Sequence, residues 1–197
     1  MMRFTTMKTK LRKYPSIFLI LLLAISSCFL TGCVNQHPKD SKKSSQGESV
    51  ETMLEITDPK EKQAVLNAKA KVKALSGNPR IVATSPAVAD ICDKLDLDLV
   101  GVPKSSVSKI PSRYKKVKKV GLAMSPDMEI VSSLNPDWIL APSSLETDLK
   151  PKFEELKNTE YAFLNLRSVQ GMYRSAQELG EIFGKQQEAE KMTKEFT

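Results

Sequence analysis

From residue 58 onward the apolar positions follow two alternating rhythms. Val65, Ala68, Val72 and Leu75 recur at helical spacing. Ahead of them, Asp58 supplies a cap, Pro59 suits the first helical position, and Glu61 stands where a capping box places its acid. Ser76-Gly77-Asn78-Pro79 ends that helix. Arg80–Ala83 then reads as a buried strand, and Val88, Ile91, Cys92 and Leu95 occupy one face of a helix. Leu97–Val102 reads as a second strand, Met128, Val131 and Leu134 as a short helix, and Trp138–Ala141 as a third strand. Leu149, Phe153 and Leu156 suggest another helix, and Tyr161–Leu166 a fourth strand. Val169, Met172, Ala176, Leu179 and Phe183 form an apolar stripe broken at Gly184. Ala189, Met192 and Phe196 open a final helix whose stripe is expected to stay exposed without a partner. Strands that alternate with helices predict an α/β fold, a Rossmann-like parallel sheet with flanking helices. About 120 ordered residues bury one core, so a single domain is expected.

The chain before residue 58 is different. Arg3, Lys8, Lys10, Arg12 and Lys13 precede an apolar run from Ile17 to Leu30, and the first fifteen residues hold no acid. A basic start and a short apolar core are the signal-peptide pattern. A membrane-spanning helix needs about 20 apolar residues, so a permanent span is the weaker reading. The run ends in Leu30-Thr31-Gly32-Cys33, which resembles the bacterial lipobox. That resemblance implies cleavage before Cys33 and a lipid on its thiol, with the chain held at the outer face of the cell membrane. The expected organisation is a leader over 1–32, a flexible tether rich in Ser, Lys and Gln over 33–57, and one ordered lobe over 58–197. His37, the only histidine, falls in the tether and reads as solvated.

Charge and cysteine content then lose their apparent meaning. The net charge is +7, but the leader takes five bases with it and leaves about +2. The remaining charges read as mixed-sign helices, without a basic stripe and interleaved aromatics, so nucleic acid is not an expected partner. Cys28 leaves with the leader and Cys33 takes lipid, so Cys92 alone remains and reads as a small core residue.

Ligands of parallel sheets bind beyond the carboxyl ends of the strands. Here those ends are Thr84-Ser85-Pro86, Pro103-Lys104-Ser105-Ser106, Pro142-Ser143-Ser144 and Asn165-Leu166. No phosphate-binding glycine loop, nucleophile elbow or metal cluster accompanies them, and an enzyme is not expected.

Three segments have a familiar look. They are Arg80–Ser85 with Asp93–Leu97, Pro111–Lys115, and Gly121-Leu122-Ala123-Met124-Ser125-Pro126. Together with Ser125–Ile130 and Leu134–Leu140 they resemble the helical-backbone class of ABC-importer substrate-binding proteins. The Gly-x-x-Met-x-Pro stretch is most similar to the haem-receptor lipoproteins of the Isd system of Gram-positive bacteria. The resemblance implies the N-terminal lobe of a two-lobed fold, ending in the start of the interlobe helix, with the C-terminal lobe absent. It implies haem as the transported ligand, Met124 as an axial ligand of its iron, and Ala87, Ser105 and Ser106 as backbone donors to the propionates. Pro86 departs from the pattern because it brings no N–H. Glu129 matches an acid that docks on the permease. The implied partners are an ABC permease with its ATPase, and haem or haem-donating surface proteins. The alternatives are a ferric siderophore or cobalamin on the same fold, or a non-transporting remnant or interaction module.

Overall fold

In a computed structural model the described residues are 3–4, 56 and 58–194. Cys33, His37, Phe196 and almost all of the expected leader and tether fall outside them.

Five parallel strands make the body of a six-stranded sheet. They are β2 (Ile81–Ala83), β3 (Leu99–Val102), β4 (Lys118–Lys119), β7 (Trp138–Pro142) and β8 (Glu160–Leu164). Their spatial order is β4-β3-β2-β7-β8. The chain therefore winds outward from β2 in one direction and, at β7, starts again in the other. This is the doubly wound arrangement, and its switch point lies between β2 and β7, where Ile81 sits beside Trp138 and Ala83 beside Leu140. A short strand β1 (Arg3–Phe4), within the stretch read as leader, pairs antiparallel with the outer edge of β8. The small hairpin of β5 (Gly121–Leu122) and β6 (Ser125–Pro126) stands apart from the sheet.

Side chains leave a strand on alternate faces, so each strand feeds two cores. Ile81, Ala83, Trp138, Leu140, Ala162 and Leu164 point to one face. There they meet α1 (Pro59–Lys73), α2 (Pro86–Lys94), α5 (Val169–Phe183) and α6 (Gln186–Lys194). Trp138 packs edge-on to Phe183 of α5, with ring centres 5.6 Å apart. Val82, Ile139, Ala141, Tyr161 and Phe163 point to the other face, under α3 (Met128–Ser133) and α4 (Glu146–Glu154). Phe153, Tyr161 and Phe163 form a ring cluster there, all three centre-to-centre distances being 5.8 Å. The expected fold class is borne out.

Two expectations are corrected. Asp58 does cap α1, accepting from the Lys60 N–H, but Glu61 does not complete a capping box. Its side chain turns inward and pairs with Arg174 of α5. A half-buried guanidinium outcompetes a solvated amide for a carboxylate. The stripe of the last helix is not exposed either. Ala189 and Met192 are buried, because α6 doubles back over its own lobe. Gly184 makes the reversal in the left-handed region at φ 72°. Gly180 lets the helices close, since a Cβ there would stand 2.8 Å from the Ala189 Cβ.

Candidate functional site

The carboxyl ends of β2, β3 and β4 lie side by side, and the elements that follow them carry the candidate residues. After β2, Thr84 ties the switch point together: its N–H donates to the Leu140 carbonyl at 3.0 Å and its hydroxyl to the same oxygen at 3.3 Å. Ser85 caps α2, accepting from the Val88 N–H at 3.2 Å. Pro86 takes the first helical position and Ala87 follows, exposed, on the open first turn. First-turn amides of a helix lack intrahelical acceptors and favour an anion.

After β3, Pro103 is buried and the loop then turns outward. Ser105 is half-buried and its hydroxyl accepts from the Ser108 N–H at 3.0 Å. Ser106 is exposed. The Lys104 N–H donates to the Gly121 carbonyl at 2.6 Å, which joins this loop to the hairpin.

The hairpin is built to hold its tip outward. At its base the Val120 N–H donates to the Val102 carbonyl at 2.9 Å, and the Asp127 N–H donates to the Val120 carbonyl at 2.7 Å. Gly121 has φ 96°, and a Cβ there would lie 2.8 Å from the Asp127 nitrogen. Only glycine suits both constraints. Asp127 then caps α3, accepting from the N–H groups of Glu129 and Ile130. Between the two short strands, Ala123 and Met124 make the turn. Met124 is 73% exposed, an unusual state for a large apolar side chain. Glu129 is exposed on the first turn of α3, while Val131 faces the core.

The structure thus places Ala87, Ser105, Ser106 and Met124 on neighbouring segments at one end of the sheet, with Glu129 on the helix leaving the hairpin. It adds two residues that sequence reasoning passed over. Val107 is 93% exposed in the loop after β3, and Leu122 is 58% exposed on the hairpin. With Met124 they give this end an apolar surface among hydroxyl and amide groups. A lone valine in Lys104-Ser105-Ser106-Val107-Ser108-Lys109 has no periodicity, so only its insertion into a polar loop could have marked it.

This surface is open. A cleft of about 570 Å³ lies beyond β7 and β8, lined by Ser143, Glu146, Lys150, Glu154, Asn165 and Arg167. Its charged walls do not suit an apolar macrocycle. No group of three His, Cys, Asp or Glu among the described residues could hold a metal ion. Cys92 is buried as expected, and burial pushes its thiol up to about 12.

Chemically, the arrangement offers a soft thioether on a fixed hairpin, an apolar surface around it, and amide and hydroxyl donors beside it. The family model for periplasmic binding proteins matches residues 81–197. The high-affinity haem uptake system protein IsdE of Staphylococcus aureus is 36% identical over 117 residues, which are 59% of this chain and 39% of the relative. The chain thus spans about two-fifths of the curated relatives it matches. Among solved structures, an ABC transporter substrate-binding protein from Listeria monocytogenes aligns with TM-score 0.58 and 44% identity, over 60% of this chain and 45% of the other. S. aureus IsdE complexed with haem aligns with TM-score 0.57 and 34% identity, over the same shares.

Proposed function

The chain belongs to the periplasmic binding protein family, and from that premise we propose that it is a haem-binding surface lipoprotein, the substrate-binding component of an ABC importer of haem iron. The observation that carries the reading is Met124, an apolar thioether held in solvent at the tip of a pinned hairpin. A thioether is a good axial ligand for haem iron. Its backbone is fixed by Gly121 and by the hydrogen bonds of Val120 and Asp127, so the thioether is presented from a fixed point of the hairpin. Val107 and Leu122 supply apolar contact for the macrocycle. The Ala87 amide and the Ser105–Ser106 loop supply donors for the propionates.

The other roles fit around that centre. Cys33 carries the lipid anchor at the extracellular face of the membrane. Glu129 is exposed on the helix leaving the hairpin and is the acid that meets a permease arginine. The ATPase acts through that permease, and haem arrives free or from haem-donating surface proteins. A single open surface leaves one face of the ligand in water, and tight affinity needs most of a ligand buried. Haem binding by this chain alone is therefore expected to be weak.

A second reading, a ferric siderophore at the same end of the sheet, draws on Pro86, which removes one amide from the first turn of α2. Parallel absorbance titrations with hemin and with ferric desferrioxamine separate the two. Saturable spectral change with hemin alone supports the haem reading. Change with the siderophore alone, or with neither, overturns it.

A further inference from the structure

The mixed-sign pattern expected from the sequence fails along one edge of the sheet. Between Asp98 and Asp127 the chain has no acid, but it has Arg113 and six lysines. Arg113 is engaged with the fold, its guanidinium nitrogens lying 2.8 Å from Asp96, 2.8 Å from Asp98 and 3.8 Å from Asp93. The six lysines have no ion-pair partner among the described residues.

Their placement follows the path of the chain. Lys104 and Lys109 belong to the loop beyond the carboxyl end of β3. The chain then returns to the amino end of that strand, where the Tyr114 hydroxyl donates to the Leu97 carbonyl at 2.6 Å. Lys115 and Lys116 follow there. Lys118 and Lys119 run back along the edge as β4, paired with Gly101 and Val102. The whole segment therefore wraps one edge of the sheet. All the lysines are exposed except Lys119, which is half-buried.

Two ordinary explanations fall short. Lysines on an edge strand prevent sheet-to-sheet pairing, which accounts for Lys118 and Lys119 but not for the four outside the strand. A solvated charged face carries interleaved acids, as α4 does with Glu146, Asp148, Lys150, Lys152 and Glu154. The edge also lacks the features of other partners. Tyr114 is its one aromatic and is buried, so nucleic-acid bases find no stacking platform. Between Lys104 and Lys119 Val107 is the one exposed large apolar residue, too little for the core of a protein interface. What remains is recognition by charge alone, over an extended surface. We propose that this lysine edge lies against the anionic headgroups of a phospholipid bilayer. Clusters of four to eight bases beside a membrane bind in this way. The inference rests on the charge distribution and is independent of the haem reading.

The test is residue-resolved lysine acetylation of the full chain with vesicles, so that attachment through other segments does not mask the result. On phosphatidylglycerol-containing vesicles at low salt, Lys104, Lys109, Lys115, Lys116 and Lys118 should label several-fold more slowly than on pure phosphatidylcholine. Exposed Lys62 and Lys157 should not change, and high salt should abolish the difference. Replacing both Lys115→Gln and Lys116→Gln, on an exposed surface, should raise the lipid concentration for half-protection by about 25-fold, roughly five-fold per lysine. Equal labelling on the two vesicle types would overturn the proposal. So would protection by soluble polyglutamate in preference to vesicles, which would assign the edge to an acidic protein.

Discussion

Met124 and Gly121 stand three residues apart in one hairpin and answer to different demands. Gly121 is there for geometry: its positive φ and the 2.8 Å approach to the Asp127 nitrogen exclude a side chain. Gly121→Ala should destabilise the domain by about 1–3 kcal/mol. Met124 contributes little to the fold, because most of it touches water. Met124→Ala should leave stability within about 0.5 kcal/mol, the range of surface substitutions. Urea unfolding of both variants checks the contrast, and an equal loss would mean that Met124 packs into the fold. At this scale the sequence was uneven. Met124 and Glu129 were marked by motifs, and Cys92 by its place on an apolar helix face. Leu122 lay inside a motif yet gave no sign of its exposure, because burial in a two-residue strand depends on what stands opposite.

At the scale of elements, the helices were legible by their period and the longer strands as short apolar runs between turn residues. β4, β5 and β6 were not, since two residues cannot express an alternation. Packing between helices was hidden as well. The inward turn of Glu61 depends on Arg174, more than a hundred residues away, and on Glu178 beside it. Glu178 is fully buried beside the Glu61 carboxyl, and among the described residues neither of its oxygens accepts a hydrogen bond. Burial first, and the neighbouring Glu61 second, push its carboxyl up to about 8. In the folded state Glu178 keeps its proton to about pH 8, whereas unfolded it releases it near 4.5. The folded chain binds more protons in that window, so this contribution to stability is complete below about 4.5 and falls as pH rises towards 8. Glu178→Gln removes the titration and should gain stability relative to the parent chain at pH 8 more than at pH 5. Urea midpoints at the two pH values measure this, and an unchanged difference between parent and variant would refute it.

For the whole molecule, alternation of strand and helix was enough to expect a parallel sheet covered on both faces. Strand order was beyond it, since nothing in a strand's own residues says which neighbour it takes. Order decides the site: with β2, β3 and β4 adjacent, the loops carrying Ala87, Ser105 and the Met124 hairpin share one end of the sheet. Charge also became informative only in the fold, once a sequence-local run of lysines proved to wrap a single edge. The proposed function gives the molecule separate duties, ligand contact at the carboxyl ends of the strands and permease contact at Glu129. Glu129→Ala should therefore leave hemin binding unchanged while reducing haem-dependent growth in a strain that relies on this importer. Loss of hemin binding in that variant would place Glu129 at the ligand instead. The central claim is that Met124 presents its sulfur to haem iron, and a Soret-band titration of hemin into the parent chain and Met124→Ala tests it most directly. The account predicts a saturable, shifted Soret band in the parent chain that is lost or returned to the free-hemin position in a variant of unchanged stability. Identical spectra and identical affinity in the two proteins would contradict it.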